Sequence, residues 1–76
     1  MNENEKKNYK VHIPDFVEWE LQYFRDNCNF LEDEREYFEL RSSGMSNVEI
    51  SMTMNVSESK VSKLARKVKS KILRVI

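Results

Sequence analysis

Four residue types that often shape small proteins occur only once each in this chain: cysteine, histidine, proline and glycine. The single cysteine, Cys28, cannot form an internal disulfide, and with one histidine, His12, a zinc site built from cysteine and histidine is excluded. Because Pro14 and Gly44 are the only strong helix breakers, helices are possible over most of the chain. Stability must therefore come from helix packing around a modest core.

The sequence also lacks an apolar run of membrane-spanning length, an apolar N-terminal signal segment and any alternating pattern long enough for a sheet. It contains no recognisable pairing of a nucleophile with a base and no glycine-rich phosphate loop. We therefore expect a cytoplasmic all-α protein without contact to membranes, and we expect neither enzymatic activity nor a cofactor.

Charge is balanced overall but divided unevenly along the chain. Residues 1–40 contain eleven acidic and five basic residues, whereas residues 41–76 contain two acidic and eight basic residues. Between Lys60 and Arg74 there are seven basic residues and no acidic one. This basic segment indicates a polyanionic partner, although a solvated, lysine-rich helix face has the same composition.

Capping signals and apolar spacing predict a bundle of about four helices. The first spans about Asp15 to Asn27, with Asp15 as its capping residue. The second spans about Glu32 to Ser42, begins with acidic residues that the helix dipole favours, and is closed by Gly44. Ahead of them, residues 1–12 are polar and without period, so we expect a disordered tail before a single domain at 13–76.

The third and fourth helices are predicted to meet at a tight corner. Ser46 caps a short helix that ends near Met54, and Ser57 caps a helix that continues almost to the last residue. Asn55, between them, tolerates a positive φ. This spacing, over about residues 46–72, is typical of a helix-turn-helix. The predicted core includes Phe38, Leu40, Ile50, Val61 and Leu64.

An ordered set of residues over Phe30–Ile72 supports a family resemblance: Glu34, Phe38, Leu40, Gly44, Ser46, Asn47, Glu49, Ile50, Val56, Ser57 and Val61. The stretch resembles the LuxR-type helix-turn-helix domains and, equally, the fourth region of bacterial sigma factors. Leu31 stands where these families often have a small capping residue, so we expect Asn29 to cap the second helix.

The resemblance implies a standalone bacterial or phage transcriptional regulator that binds double-stranded DNA in a sequence-specific manner. One alternative stays open at this point. The chain could instead be a protein-interaction module that binds RNA polymerase, a sigma factor or another regulator, as its acidic first half and aromatic first helix would allow.

The fourth helix carries the predicted DNA-binding residues on the face opposite its apolar stripe. Small polar side chains near its start would let the helix lie deep in the major groove. The early residues are expected to face base edges, whereas Lys67, Lys71 and Arg74 approach phosphates or remain in solvent. The residues expected to contact DNA are Ser57, Ser59, Lys60, Ser62, Lys63, Arg66 and Lys67.

The first helix has more large apolar residues than one buried stripe needs. Phe16, Trp19 and Tyr23 define a face about a third of a turn or more away from Val17 and Leu21. This second face either widens the core or forms an interface, and a homodimer is the partner we consider first for an interface.

Two further groups receive a structural interpretation. Cys28 is expected to be a buried apolar residue and not a redox centre. The acidic run Glu32–Glu36 is expected to be a solvated helix start and not a catalytic or metal-binding group.

Overall fold

A computed structural model describes residues 11–76 of the chain. Ten of the twelve residues predicted as a disordered tail, 1–10, lie outside the described range. A 3₁₀ turn, Ile13–Asp15, precedes four α-helices, which we label α1 (Glu18–Asn27), α2 (Glu32–Ser42), α3 (Asn47–Met54) and α4 (Glu58–Val75). No strand occurs between residues 11 and 76. The predicted fold class, a small all-α bundle of about four helices, is confirmed.

Helix α1 begins later than predicted because Asp15 belongs to the preceding 3₁₀ turn. The Asp15 carboxylate lies 2.8 Å from Nδ1 of His12 and does not cap a helix. Val17 occupies the N-cap position instead, and its backbone N–H donates to the Glu20 carboxylate at 2.9 Å. The prediction of Asp15 as the cap was therefore wrong. Pro14 favours the turn that uses Asp15 before α1 can start.

Helix α2 has the predicted bounds but a different cap. Leu31, and not Asn29, occupies its N-cap position, and the Glu34 carboxylate accepts a hydrogen bond of 2.9 Å from the Leu31 backbone N–H. At the other end Gly44 has a φ of +105°, a conformation that glycine adopts without strain. The expectation for Asn29 is therefore corrected, and the expectation for Gly44 is confirmed.

The corner between α3 and α4 has the local geometry that its sequence predicts. Ser46 and Glu49 exchange hydrogen bonds between side chain and backbone at 3.2 and 3.1 Å. Asn55 is left-handed, with φ 57° and ψ 48°, and the Ser57 hydroxyl accepts from the Lys60 backbone N–H at 3.1 Å. Only three residues, 55–57, therefore separate the two helices.

The core lies between α4 and the other elements. Helix α4 buries one continuous stripe against them: Val61, Leu64, Ala65, Val68 and Ile72. Aromatic rings fill the space between α1 and α2, with the centroids of Phe24 and Phe38 6.4 Å apart and those of Phe30 and Phe38 5.0 Å apart. Four of the five predicted core residues are buried. Leu40 is the exception, because it lies half-buried at the margin of the core.

Two polar contacts fix α2 against its neighbours. The Tyr37 hydroxyl donates to the Asn47 side chain at 3.0 Å and so joins α2 to the start of α3. The guanidinium of Arg25 on α1 donates twice to the Glu39 carboxylate, both times at 2.8 Å. The hydrogen bonds that Arg25 donates to Glu39 raise the pKa of Arg25 above its ordinary value, so this cation remains charged throughout the accessible pH range.

A buried ion pair joins α2 to α4. The Glu34 side chain is 2% exposed and accepts a hydrogen bond from Nζ of Lys71, which also donates to the Asn29 carbonyl at 2.8 Å. Burial alone would raise the pKa of Glu34, but hydrogen bonds from Lys71 and from the Leu31 N–H outweigh burial and lower it. Two expectations are thereby corrected, because Glu34 is not solvated and Lys71 is paired with Glu34 and not free in solvent.

Candidate nucleic-acid interface

The polar face of α4 is exposed to solvent from its first turn as far as Lys67. All seven residues predicted to contact DNA are exposed: Ser57, Ser59, Lys60, Ser62, Lys63, Arg66 and Lys67. The helix can present this face because its opposite side is the buried stripe that holds it to the bundle. The structure therefore leaves these seven residues sterically free to meet a ligand.

The first turns of α4 have small side chains beside long basic ones. Ser59 and Ser62 are exposed, and neither has a side-chain hydrogen bond to another residue in the range 11–76. Ser57 differs from them, because its hydroxyl already accepts the capping bond from the Lys60 backbone. A helix whose N-terminal end is lined with serines has little bulk to keep its backbone away from a groove floor.

Most of the basic side chains on α4 have no carboxylate close to them. Within residues 11–76, no acidic oxygen lies in salt-bridge range of Lys63, Arg66, Lys67 or Arg74. Because these charges are not neutralised locally, their fields add along one side of the helix. The arrangement favours an extended polyanion over a single small anion.

Lys60 is an exception among the predicted DNA-binding residues. Its Nζ lies 3.4 Å from a carboxylate oxygen of Asp33 on α2, and both side chains are about half-exposed. A DNA base or phosphate would have to compete with Asp33 for this lysine. This pairing could not be predicted from local sequence patterns, since the two residues lie far apart in the chain.

The aromatic face of α1 is divided in the structure. Phe16 packs against the core, with its ring centroid 4.9 Å from that of Phe24. Trp19 stays 72% exposed, and Tyr23 is 43% exposed while its hydroxyl donates to the Val75 carbonyl at 2.9 Å. The sequence predicted that these three residues act together, either as part of the core or as an interface. Phe16 belongs to the core, and Trp19 and Tyr23 line the surface.

Other kinds of site receive little support from the described residues. No group of three or more histidine, cysteine, aspartate or glutamate side chains within residues 11–76 is placed to hold a metal ion. Burial raises the pKa of the Cys28 thiol, which disfavours the reactive thiolate form. None of the helices between residues 11 and 76 is both long and apolar enough to cross a membrane.

Comparison with protein families, with curated proteins and with solved structures finds no match for this chain in any of the three. The resemblance to LuxR-type domains and to the fourth region of sigma factors therefore rests on the residues that carry it. The geometry of the α3–α4 corner and the polar face of α4 are the evidence from which function must be argued.

Proposed function

We propose that this protein binds double-stranded DNA in a sequence-specific manner and acts as a transcriptional regulator, with the start of α4 in the major groove. The single observation that carries this proposal is the exposed α4 face, where serines lie beside basic residues that have no carboxylate in salt-bridge range among residues 11–76. The short corner at 55–57 supports it, because α3 can then cross above the groove that α4 enters.

The face divides into two kinds of contact in this proposal. Ser59, Ser62 and Lys63 lie near the start of the helix and face base edges, where hydroxyl and ammonium groups read donors and acceptors. Arg66 is the anchor, because a guanidinium binds guanine or phosphate with two hydrogen bonds. Lys67 and Arg74 lie further along and meet phosphates, which give affinity without sequence information.

A solvated surface helix is the competing interpretation of the same charges. Such a helix needs no small side chains at its start and no tight corner before it. It would also be expected to pair its lysines with the acidic residues that are common elsewhere in this chain, and among residues 11–76 α4 does so only at Lys60 and Lys71. The unpaired remainder favours a ligand that supplies the negative charge.

Selection of bound sequences from random duplex DNA tests the proposal directly. We expect an enriched motif that binds more tightly than a scrambled duplex of equal length. The double variant Lys63→Ala/Arg66→Ala is expected to weaken binding to that motif by more than about tenfold. Arg35→Ala is the matched control, because it removes an exposed charge from α2, and its effect should stay small.

Two results would contradict the proposal. One is a selection that enriches no sequence over the scrambled duplex. The other is a double variant that binds as tightly as Arg35→Ala, because the α4 face would then not be the contact surface. Circular dichroism of both variants verifies that the helices are intact when binding is compared.

A further inference from the structure

An apolar groove of about 250 Å³ lies between α1 and the last turn of α4. It is lined by Trp19, Glu20, Tyr23, Phe24, Val75 and Ile76. Trp19 and Ile76 are 72% and 48% exposed, so large apolar side chains stand in solvent at its edge. Clustered exposure of this kind is characteristic of an interface, whereas single exposed apolar residues need no explanation.

We infer that a second copy of this chain covers the groove, in a twofold dimer in which each Trp19 enters the groove of the other copy. A twofold interface brings the same patch of both subunits together, so the patch must be complementary to itself. The exposed indole of Trp19 projects from the surface, and the apolar groove beside it can receive the same indole from a second copy. Aromatic anchors of this kind dominate the affinity of protein interfaces.

Charge separates this surface from the other exposed surfaces of the bundle. The polar face of α4 is basic, and the exposed start of α2 is acidic, so each would repel its own copy. The groove, in contrast, is lined by one charged residue, Glu20, among apolar and aromatic side chains. Two copies can therefore meet here with less like-charge repulsion than at either of the other two surfaces.

The position of the groove also suits the proposed function. Ser62 and Val75 are separated by thirteen residues of α4, which corresponds to about 20 Å along the helix axis. A twofold axis beside Val75 would place the two Ser62 residues about 40 Å apart if the two helices were collinear, and closer if they are inclined. Half-sites one turn of DNA apart are separated by roughly 34–36 Å. This step alone rests on the proposed DNA binding.

Sedimentation equilibrium of the full chain without DNA, from low to high micromolar concentration, tests the inference. The mass is expected to approach twice the 9.2 kDa of one chain. Trp19→Glu should raise the dissociation constant at least about tenfold, because it places a charge in an apolar pocket. Met52→Glu is the matched control, since Met52 is 70% exposed on α3 and away from the groove, and it should leave the mass unchanged.

Fluorescence provides an independent measurement, because Trp19 is the only tryptophan in the chain. Its emission should shift to shorter wavelength as concentration rises and the indole leaves water. If Trp19→Glu lost its helical circular dichroism, Ile76→Glu would replace it, since Ile76 lies beyond the end of α4.

Three results would overturn the inference. A mass of one chain at every concentration would mean that the groove receives a different molecule. A dimer that survives both Trp19→Glu and Ile76→Glu, or that forms without a shift in emission, would use another surface. Since none of these measurements includes DNA, a failure of DNA binding would leave the dimer standing, and the reverse also holds.

Discussion

Both halves of α4 carry lysines, but the surroundings of these lysines differ. Lys63, near the start, is exposed and has no carboxylate in reach among residues 11–76. Lys71, two turns later, is held between the Glu34 carboxylate and the Asn29 carbonyl, and the nearby Val75 carbonyl accepts from Tyr23. One end of the helix is thus open to a ligand, and the other is fixed to the bundle. Residue type alone does not distinguish the two lysines.

Replacing each of these two lysines by methionine should give the largest difference in stability. Lys71→Met leaves the Glu34 charge buried without its partner, and we expect a loss of about 3–5 kcal/mol in the free energy of unfolding. Lys63→Met should change that free energy by less than about 0.5 kcal/mol, because the residue is exposed. Urea denaturation measures both values. Equal effects would remove the distinction between the two ends of α4.

The double variant Glu34→Met/Lys71→Met sharpens this result. When both partners become apolar and similar in volume, no uncompensated charge is left, so most of the stability lost in Lys71→Met should return. A double variant as unstable as Lys71→Met would show that shape, and not charge, determines the effect at this position.

Acid should reduce the stability that the Glu34–Lys71 pair gives to the end of α4. The folded pKa of Glu34 lies below its ordinary value, so the carboxylate contributes stability above that value, and the contribution is lost as pH falls through the folded pKa. The loss should be smaller than in Lys71→Met, because Lys71 is 23% exposed and can reach solvent. Thermal unfolding should show that the wild type is more stable than Glu34→Gln at neutral pH and that this difference in stability shrinks below pH ~5. An advantage unchanged by acid would contradict this assignment.

Single substitutions on the exposed face of α4 should affect DNA binding in two different ways. Lys63→Ala is expected to cost roughly 1–3 kcal/mol on the selected DNA site and to relax preference at one base pair. Lys67→Ala should weaken binding to all duplexes alike and lower the salt slope by about one unit. Fluorescence anisotropy on selected and scrambled duplexes at several salt concentrations separates the two. If Lys63→Ala weakened both duplexes equally, only non-specific electrostatic binding would remain.

Breaking the Asp33–Lys60 pair should have the smallest effect on stability and on DNA affinity. Both side chains are about half-exposed, so Asp33→Asn should change stability by less than about 1 kcal/mol. It should also raise DNA affinity slightly at low salt, because Lys60 no longer has a competing partner. Glu36→Gln, on the same helix, controls for the loss of one acidic charge. Equal gains in the two variants would show that the pair has no specific role.

Local signals predicted most of the helix bounds. Gly44, Ser46, Asn55 and Ser57 act on backbone groups a few residues away, so their effect is visible in the sequence. Helix α1 was misjudged for a local reason too, because Asp15 is also a suitable member of the turn that follows Pro14. Capping residues therefore predict helix boundaries well, unless the same residue can also belong to a neighbouring turn.

Partners distant in sequence were not predictable in the same way. Glu34 lies in an acidic run that resembles a solvated helix start, and its partner Lys71 is 37 residues away. The pairing of Lys60 with Asp33 and the separation of Phe16 from Trp19 also depend on how the helices pack. The composition of the candidate site was therefore predictable, but which of its lysines are free was not.

The buried Glu34–Lys71 contact also favours one rotation of α4 about its own axis, in addition to the apolar stripe. Turning the helix by one residue rotates every side chain by roughly 100°, which would carry Lys71 away and leave Glu34 as an isolated charge in the core. Misrotated packings of α4 are thereby raised in energy relative to the native one. A contact that meets no ligand thus adds to the selection of which lysines and serines point outward.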